Sequence, residues 1–148
     1  MIKYLRFAAM IGTSTAIMYG LMYLNTYSTD HLYWSETRAY MALIMGSTMA
    51  AVMLLFMLHM YRNKAVNVAI LATAGIVFAG SLYMVRSQAS VDQLEWMKAM
   101  IPHHSIAILT SERAGLADPR VRALADEIGT TQREEIAEMK SLIAELER

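Results

Sequence analysis

The chain contains no cysteine. That removes disulfides, iron–sulfur clusters, thiol catalysis and cysteine-based zinc sites in one step. Other absences narrow the chemistry further. There is no His-Glu-x-x-His protease motif, no Glu-x-x-His di-iron pattern and no glycine-rich phosphate loop. Thr110 and Ser111 lack the flanking context of an activated nucleophile. No enzyme is expected. Charge is sparse as well: 18% of residues are Asp, Glu, Lys or Arg, and the formal net charge is zero. That average hides a division. The long apolar runs lie before Arg86, whereas the segment after it holds seven basic residues against eleven acidic ones. An acidic tail lacks the basic face that nucleic acid requires, so no nucleic-acid partner is expected.

What is abundant is apolar sequence and methionine, 56% hydrophobic residues overall and 14 Met. Three apolar stretches have lengths that suit a bilayer of about 20 helical residues. They run over residues 7–27, 37–61 and 65–85. A signal peptide is the competing reading of the first stretch, but no small-x-small cleavage site follows it. Tyr19, Tyr23 and Tyr27 instead suggest an aromatic helix face ending at an interface, and Tyr33 and Trp34 a headgroup-level loop. Ser35 is a candidate cap for the second stretch, with Glu36 in its first turn. In that stretch Met41, Met45, Met49, Met53 and Met57 recur every four residues. A packing ridge is favoured over a thioether ladder for Cu(I), because methionine is a common core filler. Ala42, Gly46 and Ala50 form a small row that admits a second backbone. The third stretch is rich in Ala and Gly, which suggests burial among helices. Lys3, Arg6, Arg62 and Lys64 outnumber Arg38 and Arg86 on the other side. The amino terminus is therefore expected in the cytoplasm, and everything after Arg86 outside it.

Residues 87–148 read as an antiparallel helical hairpin. Ser90 with Gln93 suggests a capping box for its first helix, and Gly115 a left-handed close. Asp118-Pro119 signals the start of the second. The first helix carries Met97, Met100, Pro102, His103 and His104, the densest set of soft and borderline metal donors in the chain. Met97, Met100 and His104 share one face, and His103 lies about 100° round from His104. Pro102 cannot donate to the carbonyl of Lys98 and is expected to kink the helix. Folding the hairpin near Ala117 sets the histidines opposite Thr131 and Gln132, Met100 near Glu134 and Glu135, and Met97 near Glu138 and Met139. Gln132, Glu135 and Met139 share a face, and two polar residues on an otherwise apolar stripe need partners. The candidate metal ligands are therefore His103, His104, Met100, Met97, Met139, Glu135 and Gln132, with Asp30 and His31 as accessory donors. Imidazole and thioether donors together point to copper, as Cu(I) or Cu(II).

The run Met100-Ile101-Pro102-His103-His104, then Ala107-Ile108, Asp118-Pro119, Val121-Arg122, Leu124-Ala125, Ile128, Gln132, Glu135-Ile136 and Met139, resembles the domain-of-unknown-function family 305. The resemblance covers about residues 90–146. It implies a ferritin-like helical fold outside the cytoplasm and, as in some members, copper binding through Met and His. The positions that carry over are Met100, His103, His104, Gln132, Glu135 and Met139. Many members have Gln or Glu after the histidine pair and Met a turn further on. Here Ser105 and Thr110 stand there, implying fewer sulfur donors or weaker binding.

The expected architecture is all-α. Residues 1–86 form a three-span membrane domain, and 87–148 an extracytoplasmic hairpin, half of a ferritin-like four-helix bundle. The expected setting is a bacterial inner membrane with the tail in the periplasm. The expected function is copper binding, buffering or hand-over at that face, to or from a copper donor or acceptor protein. The alternative is a metal-free structural or assembly subunit of a membrane complex. A hairpin this small has little core of its own. Partners are thus the bilayer and further copies of the chain, paired through the hairpins and through the Ala42/Gly46/Ala50 face.

Overall fold

A computed structural model describes residues 2–148. Among them the chain is all-α, with five helices and no strand. These are α1 (Ile2–Leu21), α2 (Glu36–Phe56), α3 (Lys64–Ser87), α4 (Gln93–Arg113) and α5 (Pro119–Leu146), with a short 3-10 turn at Thr29–His31. Two of them, α2 and α3, are long and apolar enough to cross a membrane. The expected third, α1, has the length at 20 residues but not the apolarity. Lys3, Arg6 and the Thr13-Ser14-Thr15 run dilute it.

The chain divides into two compact units, and the second is not a simple carboxy-terminal segment. The first unit holds the helical residues up to Met22 together with Thr37–Ser90. The second joins Tyr23–Glu36 to Val91–Arg148. The segment between α1 and α2, expected to lie at headgroup level, thus folds with the hairpin.

In the first unit α1 stops at Leu21, six residues before the expected end. The Arg38 guanidinium donates to the Met22 carbonyl at 2.6 Å, satisfying a group that the helix end leaves unpaired. Tyr23 and Tyr27 consequently leave the helix rather than extend an aromatic face. Ala42 and Gly46 of α2 are buried within the unit. A Cβ on Gly46 would collide with Thr15 of α1, whose hydroxyl is nearest and whose Cγ2 would lie at 3.1 Å. Within the unit, Gly46 of the small row is therefore taken up by a close α1–α2 contact. Met53, Met57 and Ala50 pack on a cluster of Phe7, Leu54 and Tyr61. The lower part of the methionine row is thus a packing ridge. On α3 only Asn67, Ala74 and Ser81 are buried, one narrow stripe at seven-residue spacing. Val68, Ile76 and Tyr83 are 65%, 74% and 65% exposed, so within the unit this helix is not enclosed by its neighbours as its small residues suggested.

In the second unit Met97, Ile101 and Ile108 of α4 interlock with Ile136, Met139 and Ile143 of α5. Tyr33 of the 23–36 segment packs on that core with Leu94 and Met100. The caps differ in part from expectation. Asp92, not Ser90, caps α4, its carboxylate accepting from the Glu95 amide at 2.9 Å. Asp118 caps α5 as expected, with Pro119 in the first turn. Gly115 does not adopt positive φ; the left-handed residue is Gln88, φ 53°, which ends α3. Lys98 and Glu147 tie the open ends of the hairpin at 2.7 Å. That contact holds the Lys98 ammonium above its ordinary pKa.

Candidate metal centre

The helix α4 runs through Pro102 without ending, and the proline is fully buried. Two residues later His104 is held from both sides. Its Nδ1 lies 2.9 Å from the Met100 carbonyl oxygen on its own helix. A carbonyl only accepts, so Nδ1 carries a proton and donates it. Its Nε2 lies 2.8 Å from Glu135 Oε2 on α5. In a neutral ring with Nδ1 protonated, Nε2 is a lone pair, and the carboxylate opposite offers another. Two acceptors at that distance need a cation between or beside them, either a proton or a metal ion. Gln132 donates from its side-chain amide to the same Glu135 oxygen at 3.2 Å, which fixes the carboxylate. The His104 side chain is mostly buried, 13% exposed, against 46% for Glu135, so the site opens toward solvent through the carboxylate.

The expected ligands separate into three groups around this pair. His104, Glu135 and Gln132 meet, with Glu135 rather than Gln132 directly opposite the ring. Met97 and Met139 lie in the apolar core, only 6% and 7% exposed. Met100 packs against that core and contributes its carbonyl to His104. His103 is exposed, its ring edge-on to His104 with centroids 6.2 Å apart. Among the described residues no three His, Cys, Asp or Glu side chains converge as a ready metal cluster.

Asp30 and His31 are engaged elsewhere. The Asp30 carboxylate pairs with Lys140 at 2.5 Å and accepts from Ser28. Those bonds hold it well below the usual carboxylate range. His31 Nδ1 lies 2.9 Å from the hydroxyl of Ser105, and the Tyr27 amide donates to that same hydroxyl at 2.7 Å. With one lone pair taken by Tyr27, the serine is set to give its proton to His31 Nδ1. Burial pushes His31 below its ordinary pKa, which suits a neutral acceptor. Arg133 adds a cation–π contact, 5.7 Å from the Tyr27 ring centre.

Ser105, His31 and Asp30 have the composition of a hydrolytic triad but not its geometry. Ser105 is wholly buried, and His31 Nε2 stands 3.9 Å from Asp30, beyond hydrogen-bond reach. The Asp30 carboxylate is committed to Lys140. The trio locks the 23–36 segment onto the hairpin. Sequence reasoning missed this lock, although one signal was present. A serine between Ile101 and Ile108 on a buried helix face needs a partner from outside the helix.

The block Pro102-His103-His104 facing Gln132, Glu135 and Met139 across one hairpin is the decisive feature. Residues 87–148 match the family model of DUF305, a domain of unknown function. That segment belongs to the family. The chain is also similar to the uncharacterized protein L153 of Acanthamoeba polyphaga mimivirus, 41% identical over 66 residues. The match spans 43% of this chain and 43% of that relative, less than half the length of either. No solved structure matches. Within the DUF305 segment both halves of the candidate site are present, His104 on α4 and Glu135 with Gln132 on α5.

Proposed function

We propose that this protein binds copper at the DUF305 hairpin. The carrying observation is the 2.8 Å approach of His104 Nε2 to Glu135 Oε2 while Nδ1 is committed to the Met100 carbonyl. Metal-binding histidines characteristically donate their other ring nitrogen to a carbonyl or carboxylate, which fixes the tautomer. Imidazole and carboxylate together suit Cu(II). In this reading His103 joins from the exposed side, and Met100 supplies a thioether when the ion is Cu(I). Met97 and Met139 shape the apolar wall beneath.

The setting belongs to the same reading. The apolar α2 and α3 lie in a bilayer, with α1 as a third, less apolar span. The excess of Lys and Arg at Lys3, Arg6, Arg62 and Lys64 favours an amino terminus on the cytoplasmic side of a bacterial inner membrane. The hairpin then faces the periplasm, where it buffers copper or passes it to and from other proteins. Val121, Leu124, Ile128, Leu142 and Leu146 leave an apolar stripe exposed along α5. That stripe favours pairing of hairpins into a dimer or larger assembly resembling a ferritin-like four-helix bundle.

Competition titration of the full chain in detergent against a Cu(II) chelator tests the site. Wild type is expected to take the metal from the chelator. Glu135→Gln should weaken binding on the order of 10–100-fold, the usual effect of disturbing groups around a ligating histidine. Equal affinity in wild type, Glu135→Gln and His104→Ala would remove the proposal.

The second reading, a metal-free assembly subunit, is favoured by one observation. Met97 and Met139 are core residues, in contact with four isoleucines. Under that reading His103→Ala/His104→Ala protein keeps its partners on purification, and copper raises the melting temperature of neither form.

A further inference from the structure

The first unit contains Lys3, Arg6, Arg38, Arg62, Lys64 and Arg86 and no Asp or Glu. Four of these cations are brought to one end of it. The Tyr4 hydroxyl accepts from the Asn63 amide at 3.1 Å and lies 2.9 Å from the Asn67 side-chain oxygen. The Tyr4 ring stacks at a tilt on Tyr61, centroids 5.1 Å apart, and Phe7 meets the same ring edge-on at 5.4 Å. These contacts fasten the start of α1 to the turn between α2 and α3. Lys3 and Arg6 flank Tyr4 on one side of the junction; Arg62 and Lys64 flank Asn63 on the other. All four are exposed, and among the described residues no ion pair includes any of them. Beside them Leu5 and Phe56 are 72% and 82% exposed, with Leu58 and Met60 also open.

Unopposed cations on a scaffold of tied tyrosines and asparagines, with bare apolar side chains alongside, present charge and grease together. A free anion has no use for the second. An anionic phospholipid uses both, its phosphate meeting the cations and its chains the apolar side chains. We propose that Lys3, Arg6, Arg62 and Lys64 form a binding surface for anionic phospholipid headgroups. The inference rests on the reading that this unit is embedded in a membrane. Each Lys or Arg near an anionic surface favours it by about 1 kcal/mol, roughly a fivefold preference, and the preference is screened by salt.

The full chain is reconstituted into phosphatidylcholine vesicles and washed with alkaline carbonate. Spin-labelled phosphatidylglycerol and phosphatidylcholine are then compared for association with the retained protein. Phosphatidylglycerol should be favoured about fivefold or more at low salt, and the preference should shrink as NaCl is raised. Lys3→Gln/Arg6→Gln/Arg62→Gln/Lys64→Gln should abolish it, and Arg86→Gln should leave it intact. The salt series on wild type carries the test if the fourfold variant does not fold. Inorganic phosphate should act only as NaCl of equal ionic strength does; selective displacement by phosphate would mark a free-anion site and overturn the proposal. Equal association of both lipids with carbonate-retained protein would overturn the headgroup surface alone. Extraction of the protein by carbonate would overturn the membrane reading and the surface with it.

Discussion

Neighbouring residues on α4 have taken opposite tasks. His104 turns to Glu135 and solvent, whereas Ser105 turns inward and is wholly buried. Removing the Ser105 hydroxyl leaves the Tyr27 amide and His31 Nδ1 without their partner. Such a loss costs about 1–3 kcal/mol. Ser105→Ala should therefore speed hydrogen exchange at the Tyr27 amide, while copper affinity at His104 changes little. Acid should release the same lock. Burial lowers the folded-state pKa of His31 below 6.5, so the unfolded state binds the proton more readily. The lock is then complete above about pH 6.5 and is lost as pH falls through the lower folded value. Asp30 stays charged through that window, because Lys140 and Ser28 hold its pKa far below. Protection of the Tyr27 amide, corrected for intrinsic exchange, should fall over this range in wild type and vary little in His31→Gln. That His104, Glu135 and Gln132 share facing helix surfaces was legible from residue chemistry and helical spacing. The Ser105–His31 contact was not, because it joins positions 74 apart through a loop that no periodicity describes.

At the scale of elements, local chemistry placed the helices well and their faces less well. The cap at Asp118 follows from a short signal in the chain. The cap of α4 lay two residues beyond the expected Ser90, since Asp92 with Glu95 makes the same bond from a stronger acceptor. Small residues proved ambiguous for a physical reason. A glycine row permits close approach but does not say whose backbone comes close. Gly46 receives Thr15 of α1, whereas a Cβ at Gly80 would meet nothing within 4 Å. Gly46→Ala should lower stability by about 1–3 kcal/mol through overpacking, read as a lower melting temperature in detergent. Gly80→Ala should be neutral or stabilising by up to about 1 kcal/mol, the helix-propensity difference. A drop at Gly80 equal to that at Gly46 would contradict the α1–α2 packing.

The whole molecule consists of a helical unit free of acidic residues and a second unit in which a loop from early in the chain is stitched to a late hairpin. The all-α class and the hairpin were readable from apolar spacing and caps. The stitching was not, because chain order alone assigns residues 23–36 to the apolar half. That loop gives the DUF305 hairpin a third packed layer through Tyr33, which a two-helix unit of this size otherwise lacks. The hairpin's metal site is the central claim. Its most direct test is electron paramagnetic resonance of the full chain loaded with one equivalent of Cu(II), in wild type, His103→Ala and His104→Ala. Nitrogen hyperfine structure from imidazole should be present in wild type, persist with His103→Ala and be reduced or lost with His104→Ala. A spectrum unchanged by His104→Ala would contradict the account.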